Sequence, residues 1–168
     1  LEKKPAYYAM KRAGKRRSIA IVLRREGYSL NVFNDTDEPL SGKLNLYHRG
    51  LDGACHGSWH FDISLRSFEQ IKIPITFDQN IKNSYLYAEL GDLDTVYFYD
   101  LWKDKSFVTD LKADYTMLDE TGCNWRIDLI ANRFARVVFI DLPEDVSPEL
   151  SDNYFDLVEG KKKSVYVK

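Results

Sequence analysis

From residue 18 onward, apolar and polar residues tend to alternate, the period of a half-buried strand. Segments 18–23, 28–34 and 44–47 carry this pattern. They are separated by Glu26-Gly27, by Asn34-Asp35-Thr36-Asp37-Glu38-Pro39 and by Gly50-Leu51-Asp52-Gly53, all rich in turn-forming residues. Further strands are predicted at 59–64, 70–77, 84–90 and 95–101. The alternation in Lys43-Leu44-Asn45-Leu46-Tyr47 and in Ser84-Tyr85-Leu86-Tyr87-Ala88-Glu89-Leu90 implies one buried face for each. After a polar break at Trp102-Lys103-Asp104-Lys105, a second set is predicted at 113–118, 125–131, 135–142, 153–157 and 164–167. Its breaks are Asp119-Glu120-Thr121-Gly122, Asn132-Arg133, 143–151 and Glu159-Gly160-Lys161-Lys162.

Seven short strands with frequent turns predict an immunoglobulin-like β-sandwich over residues 18–101. A second, smaller sandwich follows over 102–168, with the boundary near 101–105. The fold class is therefore all-β, two tandem immunoglobulin-like sandwiches, preceded by a short helix. That helix falls within residues 1–17. Pro5 suits a first turn, Ala6 to Ala13 favour helix, and Gly14 ends it. Tyr7, Met10 and Lys11 lie at the spacing of one helical face. A helix this short needs a surface to pack on.

The chain has 168 residues with 24 Lys and Arg against 26 Asp and Glu, a net charge of −2. Such balance argues against a nucleic-acid binder. Aromatic residues make up 14%, too many for a disordered chain. No apolar run is long enough for a transmembrane helix, so no membrane partner is expected, and the opening residues carry no signal-peptide pattern. Charge is uneven, however. The first 17 residues hold seven bases and one acid (+6), and the rest 17 bases and 25 acids (−8). Lys11-Arg12-Ala13-Gly14-Lys15-Arg16-Arg17 would attract phosphates, but the rest of the chain is acidic, and cations suit a helix C-terminus in any case.

No nucleophile elbow, phosphate loop, dinucleotide fingerprint or His-Glu-x-x-His occurs, so no catalytic residue and no cofactor are assigned. The two cysteines, Cys55 and Cys123, allow one disulfide but fit no metal spacing. His48 stands apart. His56 and His60 flank Trp59, and on a strand such an i, i+4 pair lies about 13 Å apart, too far for one metal. The acids at Asp35, Asp37 and Glu38, and at Glu144, Asp145 and Glu149, read as turns rather than calcium ligands. No metal site is expected. Of the three tryptophans, Trp125 shares a row with Ile127 and Leu129 and reads as core, and Trp102 lies at the junction. Trp59 is left as the candidate for stacking on a sugar ring.

Three stretches carry a family resemblance. Lys4-Pro5-Ala6-Tyr7-Tyr8-Ala9-Met10-Lys11-Arg12-Ala13 resembles the segment that leaves the catalytic barrel in β-mannosidases of glycoside hydrolase family 2. Val32-Phe33-Asn34-Asp35-Thr36 and Pro39-Leu40-Ser41-Gly42-Lys43-Leu44 resemble the domain after the barrel. Ile140-Asp141-Leu142-Pro143 and Leu150-Ser151-Asp152-Asn153-Tyr154-Phe155-Asp156-Leu157 resemble the final immunoglobulin-like domain. The pattern departs at 14–17 and at 50–60.

The resemblance implies that the chain is the non-catalytic C-terminal part of such an enzyme; the alternatives are a carbohydrate-binding module, with Trp59 as its platform, and a free-standing immunoglobulin-like interaction module. On the resemblance, the partner would be the catalytic barrel of the same polypeptide, upstream of Leu1, which holds the two catalytic glutamates. The substrate of the intact enzyme would be a β-mannoside. The resemblance also implies that residues 1–17 end the last barrel helix and form a linker. Tyr7, Tyr8 and Met10 are then expected to be exposed in this chain, offering a face for dimerisation.

Overall fold

A computed structural model describes residues 3–99, 109–142 and 149–168. The expected junction at 101–105, with Trp102, lies outside them, as do Glu144 and Asp145. The chain divides into two compact units, Ala13–Lys105 and the combination of Leu1–Arg12 with Ser106–Lys168. Both are antiparallel β-structures of immunoglobulin-like type, and the one described helix, α1 (Pro5–Ala13), is short.

In the Ala13–Lys105 unit the strands are β1 (Arg17–Arg24), β2 (Gly27–Asn34), β3 (Leu40–Gly50), β4 (Cys55–Leu65), β5 (Glu69–Ile75), β6 (Ser84–Leu90) and β7 (Leu93–Tyr97). They form a three-stranded sheet in the order β1-β2-β5 and a four-stranded sheet in the order β4-β3-β6-β7. Ile19, Ile21, Leu30 and Val32 of the first sheet interlock with Leu44, Leu46, Ile63, Leu65, Leu86, Ala88 and Leu90 of the second. This is the sandwich core that the period-two pattern predicts. The alternation in β3 holds, with Leu44, Leu46 and His48 buried in turn. Strand β6 departs from expectation. Tyr85 and Tyr87, on the face opposite Leu86 and Ala88, are buried as well.

The other unit holds β8 (Leu111–Met117), β9 (Trp125–Ala131), β10 (Ala135–Val138), β11 (Phe155–Leu157) and β12 (Lys162–Val167). One sheet runs β12-β9-β8 and a second pairs β10 with β11. Ile127, Leu129, Ala131, Val138, Phe155, Leu157 and Val165 form its core, and Tyr8 of α1 joins them.

Two expectations are corrected here. Tyr8 is only 4% exposed, so α1 is already packed, and Tyr7 and Met10 are what remain of the proposed dimer face. The helix turns Tyr8 inward because the C-terminal unit offers it Tyr154, with ring centroids 6.1 Å apart, and anchors it by polar contacts. Trp125 is 37% exposed rather than core. It stands at the end of β9, opposite Met117 and Val167, where the inner face runs out, and its indole Nε1 donates to Gly122 O at 2.8 Å.

Candidate functional site

Trp59 lies on β4 in the row 59, 61, 63, 65, which faces the core. Opposite it on β3 is Leu46, and its half-buried ring packs against the apolar cluster with Phe61. A Cβ at residue 57 would approach Trp59 Cη2 to 2.7 Å, so Gly57 is what makes room for the ring. The indole is thus held as a packing group, with part of its surface still in contact with solvent.

The groups that do gather are on the outer face of β4-β3-β6-β7, and the sequence reading did not single them out. Tyr47 stacks on Tyr87 with ring centroids 6.1 Å apart and planes 15° from parallel. The Arg49 guanidinium lies 5.2 Å from the Tyr47 ring, a cation–π distance. His60 meets Tyr47 edge-on, and its Nδ1 is 2.8 Å from Asn45 Oδ1. The Tyr87 hydroxyl donates to Glu89 Oε2 at 2.8 Å. Burial, reinforced by that carboxylate, drives its phenol pKa far up, so it stays protonated. The signal was available in the alternation itself, which places Tyr47 and Tyr87 at non-core positions of β3 and β6. These groups can stack and hydrogen-bond, but they include no nucleophile paired with a base.

His48 is buried. Its Nε2 is 3.0 Å from Ser84 Oγ and 2.9 Å from the Tyr99 hydroxyl. Both hydroxyls donate to Ile81 O. The two hydroxyls also contact each other, and with both protons turned to Ile81 O the tautomer that carries its proton on Nε2 donates to them. Burial is the main cause that lowers the His48 pKa, helped by neighbouring His56 and opposed by Asp78. A serine beside a histidine suggests hydrolytic chemistry, but Ser84 is 1% exposed and its proton faces a backbone carbonyl, so no substrate reaches it. His56 and His60 lie on strand β4, as expected. Among the described residues no cluster of His, Cys, Asp or Glu fits a metal ion. Cys55 and Cys123 are free and exposed.

The acidic turn after β2 is a structural knot. Asn34 Nδ2 donates to Glu38 O and Arg66 O, both at 2.8 Å, while Arg17 reaches Asn34, Thr36 and Glu38. Arg16 donates to Asp35 O at 2.7 Å. The basic segment 11–17 is therefore largely engaged with protein groups.

Its remaining arginine organises the end of the chain. Arg12 Nη1 bonds the Asp152 carboxylate and Asn153 O, and Nη2 bonds Tyr154 O at 3.0 Å. Lys11 Nζ donates to Ser151 O at 2.9 Å, and Lys3 pairs with Glu149. Asn153, 3% exposed, acts as a substitute strand. Its Oδ1 accepts from Ile140 N–H at 2.8 Å and its Nδ2 donates to Ile140 O at 2.9 Å. Asp156 accepts from Val137 N–H at 2.9 Å, where β10 bulges and Val137 takes a φ of 51°. Phe155 and Leu157 fill the core between these polar ties. The Ser151–Leu157 stretch thus works as a buckle between helix, bulge and sheet.

The buckle lies within the segment that decides the comparison. Residues 108–168 match the Ig-fold domain of the family model Ig_mannosidase. No curated protein matches the chain. Among solved structures, the fold is similar to a β-D-mannosidase from Dictyoglomus thermophilum, with a TM-score of 0.86 and 18% identity over 99% of this chain and 21% of that one. It is also similar to the exo-chitosanase CsxA of Amycolatopsis orientalis, with a TM-score of 0.67 and 14% identity over 99% of this chain and 25% of that one. The chain thus spans between a fifth and a quarter of the proteins it resembles. At these identities the likeness establishes the fold. The mannosidase Ig-fold match covers α1's buckle partners, Ser151 to Tyr154, and every strand of the C-terminal unit.

Proposed function

We propose that this chain is a non-catalytic scaffolding part of a β-mannosidase-type glycosidase, whose (β/α)8 barrel belongs to the same polypeptide. The observation that carries the reading is the fold correspondence with the D. thermophilum β-mannosidase over 99% of the chain, together with the mannosidase Ig-fold match at 108–168. The site geometry agrees, since the ionisable clusters described above serve packing and hydrogen bonding rather than proton transfer to a substrate. A retaining glycosidase needs two carboxyls about 5–5.5 Å apart across the scissile bond, one as nucleophile and one as acid/base. In this reading both lie in the barrel, and the β-mannoside is bound there. Tyr7 and Met10, the exposed side of α1, are the part of the helix left to meet the barrel.

The test has two arms. The purified chain should not hydrolyse p-nitrophenyl β-D-mannoside, and the polypeptide encoded with its upstream sequence should. Turnover by the chain alone would overturn the scaffolding assignment. The likeness to an exo-chitosanase supplies a competing substrate, so the long form is also assayed on p-nitrophenyl β-D-glucosaminide. Preference for that compound would keep the scaffold and replace the mannoside.

A further inference from the structure

Strand β8 stands out from the other described strands because all of its residues are exposed. It is the edge of β12-β9-β8. Its register with β9 runs from Leu111 opposite Ala131 to Met117 opposite Trp125. At its two ends Asn132 N–H donates to Asp110 O and Leu118 N–H donates to Asn124 O. In an antiparallel ladder these bonds fix the parity. Even-numbered residues exchange bonds with β9, and Leu111, Ala113, Tyr115 and Met117 turn N–H and C=O to the open edge. Such an edge is a template for another strand.

The side chains are as unsatisfied as the backbone. Leu111, Tyr115 and Met117 share the face of buried Ile127, Leu129 and Ala131, yet are 46%, 66% and 52% exposed. On the other face Lys112 and Asp114 make no ion pair or hydrogen bond among the described residues. Asp114 stands directly opposite another acid, Asp128, whose charge is already met by Lys162 and Ser164.

We infer that β8 is a self-association edge, pairing antiparallel with β8 of a second copy of this chain about a two-fold axis at Ala113. A two-fold axis normal to the sheet keeps each face on its own side, so only registers centred on a residue are allowed. Centring on Asp114 sets that carboxylate against its own copy. Centring on Tyr115 leaves Lys112 opposite apolar Leu118. Centring on Ala113 places Lys112 opposite Asp114 of the second copy, twice, and Leu111 opposite Tyr115 of the second copy, twice. It also makes the odd-numbered residues the hydrogen-bonded pairs, as their outward N–H and C=O require. The small Ala113 sits on the axis without a clash. The two three-stranded sheets become one of six strands. Cross-strand pairs of this kind act together with the backbone bonds, and the charge pairs select the register.

The experiment is sedimentation velocity on the chain and on two variants. The interface is small, so the wild-type chain should pass from monomer to dimer with a Kd on the order of 10–100 μM. Lys112→Glu alone and Asp114→Lys alone each set like charges face to face and should weaken dimerisation at least about tenfold. An equimolar mixture of the two variants should recover the wild-type affinity, because every cross-pair is again opposite in sign. Circular dichroism confirms that both variants fold, which is expected because neither side chain has a partner among the described residues. A wild-type chain that stays monomeric throughout this range overturns the inference. So do single variants that dimerise like wild type, or a mixture that remains monomeric.

Discussion

In the Ala13–Lys105 unit, Leu30, Val32, Leu44 and Leu86 are all at 0% exposure, in two facing sheets. Among the described residues of the unit made by Leu1–Arg12 and Ser106–Lys168, Val165 alone reaches that value. Polar side chains there reach across to backbone, among them Arg12 to Asn153 and Tyr154, Lys11 to Ser151, Asn153 to Ile140, and Asp156 to Val137. A small unit buries too small a fraction of its chain to rely on apolar area. It recruits the helix from the far end of the sequence and uses hydrogen bonds to hold elements that its short strands leave unpaired. If this contrast is right, apolar truncation should hurt the larger unit most, and polar truncation the smaller.

The largest effect is expected from Leu86→Ala. Leucine truncation in a closed core costs about 2–5 kcal/mol, and a site sealed between two sheets belongs at the upper end. Leu157→Ala, in the three-residue strand β11, belongs at the lower end because its neighbours can close in. Denaturant-dependent hydrogen exchange, resolved by peptide, would report each unit separately. Equal losses would break the comparison. Next comes Asn153→Ala, which leaves the part-buried N–H and C=O of Ile140 without their side-chain partner and should cost about 1–2 kcal/mol. That loss should appear in peptides of 125–142 and 149–168 and leave 13–99 unchanged.

The alternation of apolar and polar residues located every described strand, because burial on one face writes a period of two into the sequence. The bounds of β6 and β9 are those expected. The expected 44–47 grew to Leu40–Gly50 because β4 and β6 pair with its polar ends, which local pattern does not register. The sequence reading made Trp59 the sugar-stacking candidate and passed over its row. That row, with Phe61, Ile63 and Leu65, already placed it on the core side. The buckle was not readable, because Arg12 and Asp152 are 140 residues apart and nothing near either one names the other. For the same reason the helix was assigned its Tyr7–Met10 face, while the partner that exists takes Tyr8. Depth was equally hidden. Strands β6 and β8 both alternate, yet one is almost wholly buried and the other wholly exposed.

Arg12 sharpens the contrast at a smaller scale. Its guanidinium is about one-third exposed, and its bonds to carbonyls and to Asp152 are partly screened, so Arg12→Ala should cost about 1–2 kcal/mol. The effect should be local, with faster exchange across 5–13 and at 150–154. Arg12→Lys should recover little of it, since an ammonium cannot repeat the three-way fork. If exchange in α1 is unchanged by Arg12→Ala, then Tyr8 packing alone holds the helix, and the smaller unit is less dependent on polar ties than its structure suggests.

The mildest prediction tests the larger unit at its one buried histidine. The His48 pKa is lowered in the fold, chiefly by burial, so between its folded and unfolded values the unfolded chain binds more protons. Stability should therefore be level above the unfolded value near 6.5 and decline as pH falls below it. Carboxylates do not mimic this trend. Glu26, Asp119, Asp128 and Glu149 have lowered pKa values, and their stabilisation is lost only as pH falls below about 4.5. Urea midpoints at about pH 7.5 and 5.5 bracket the histidine window and avoid the acid one. The midpoint of wild type should drop between them, with the loss confined to peptides of 13–99. His48→Gln lowers stability at both pH values, because Ser84 and Tyr99 lose their ring partner, but it should flatten the difference. A drop of the same size in His48→Gln would show that the trend does not come from His48. The buried ring would then be a fixed strut of the sandwich.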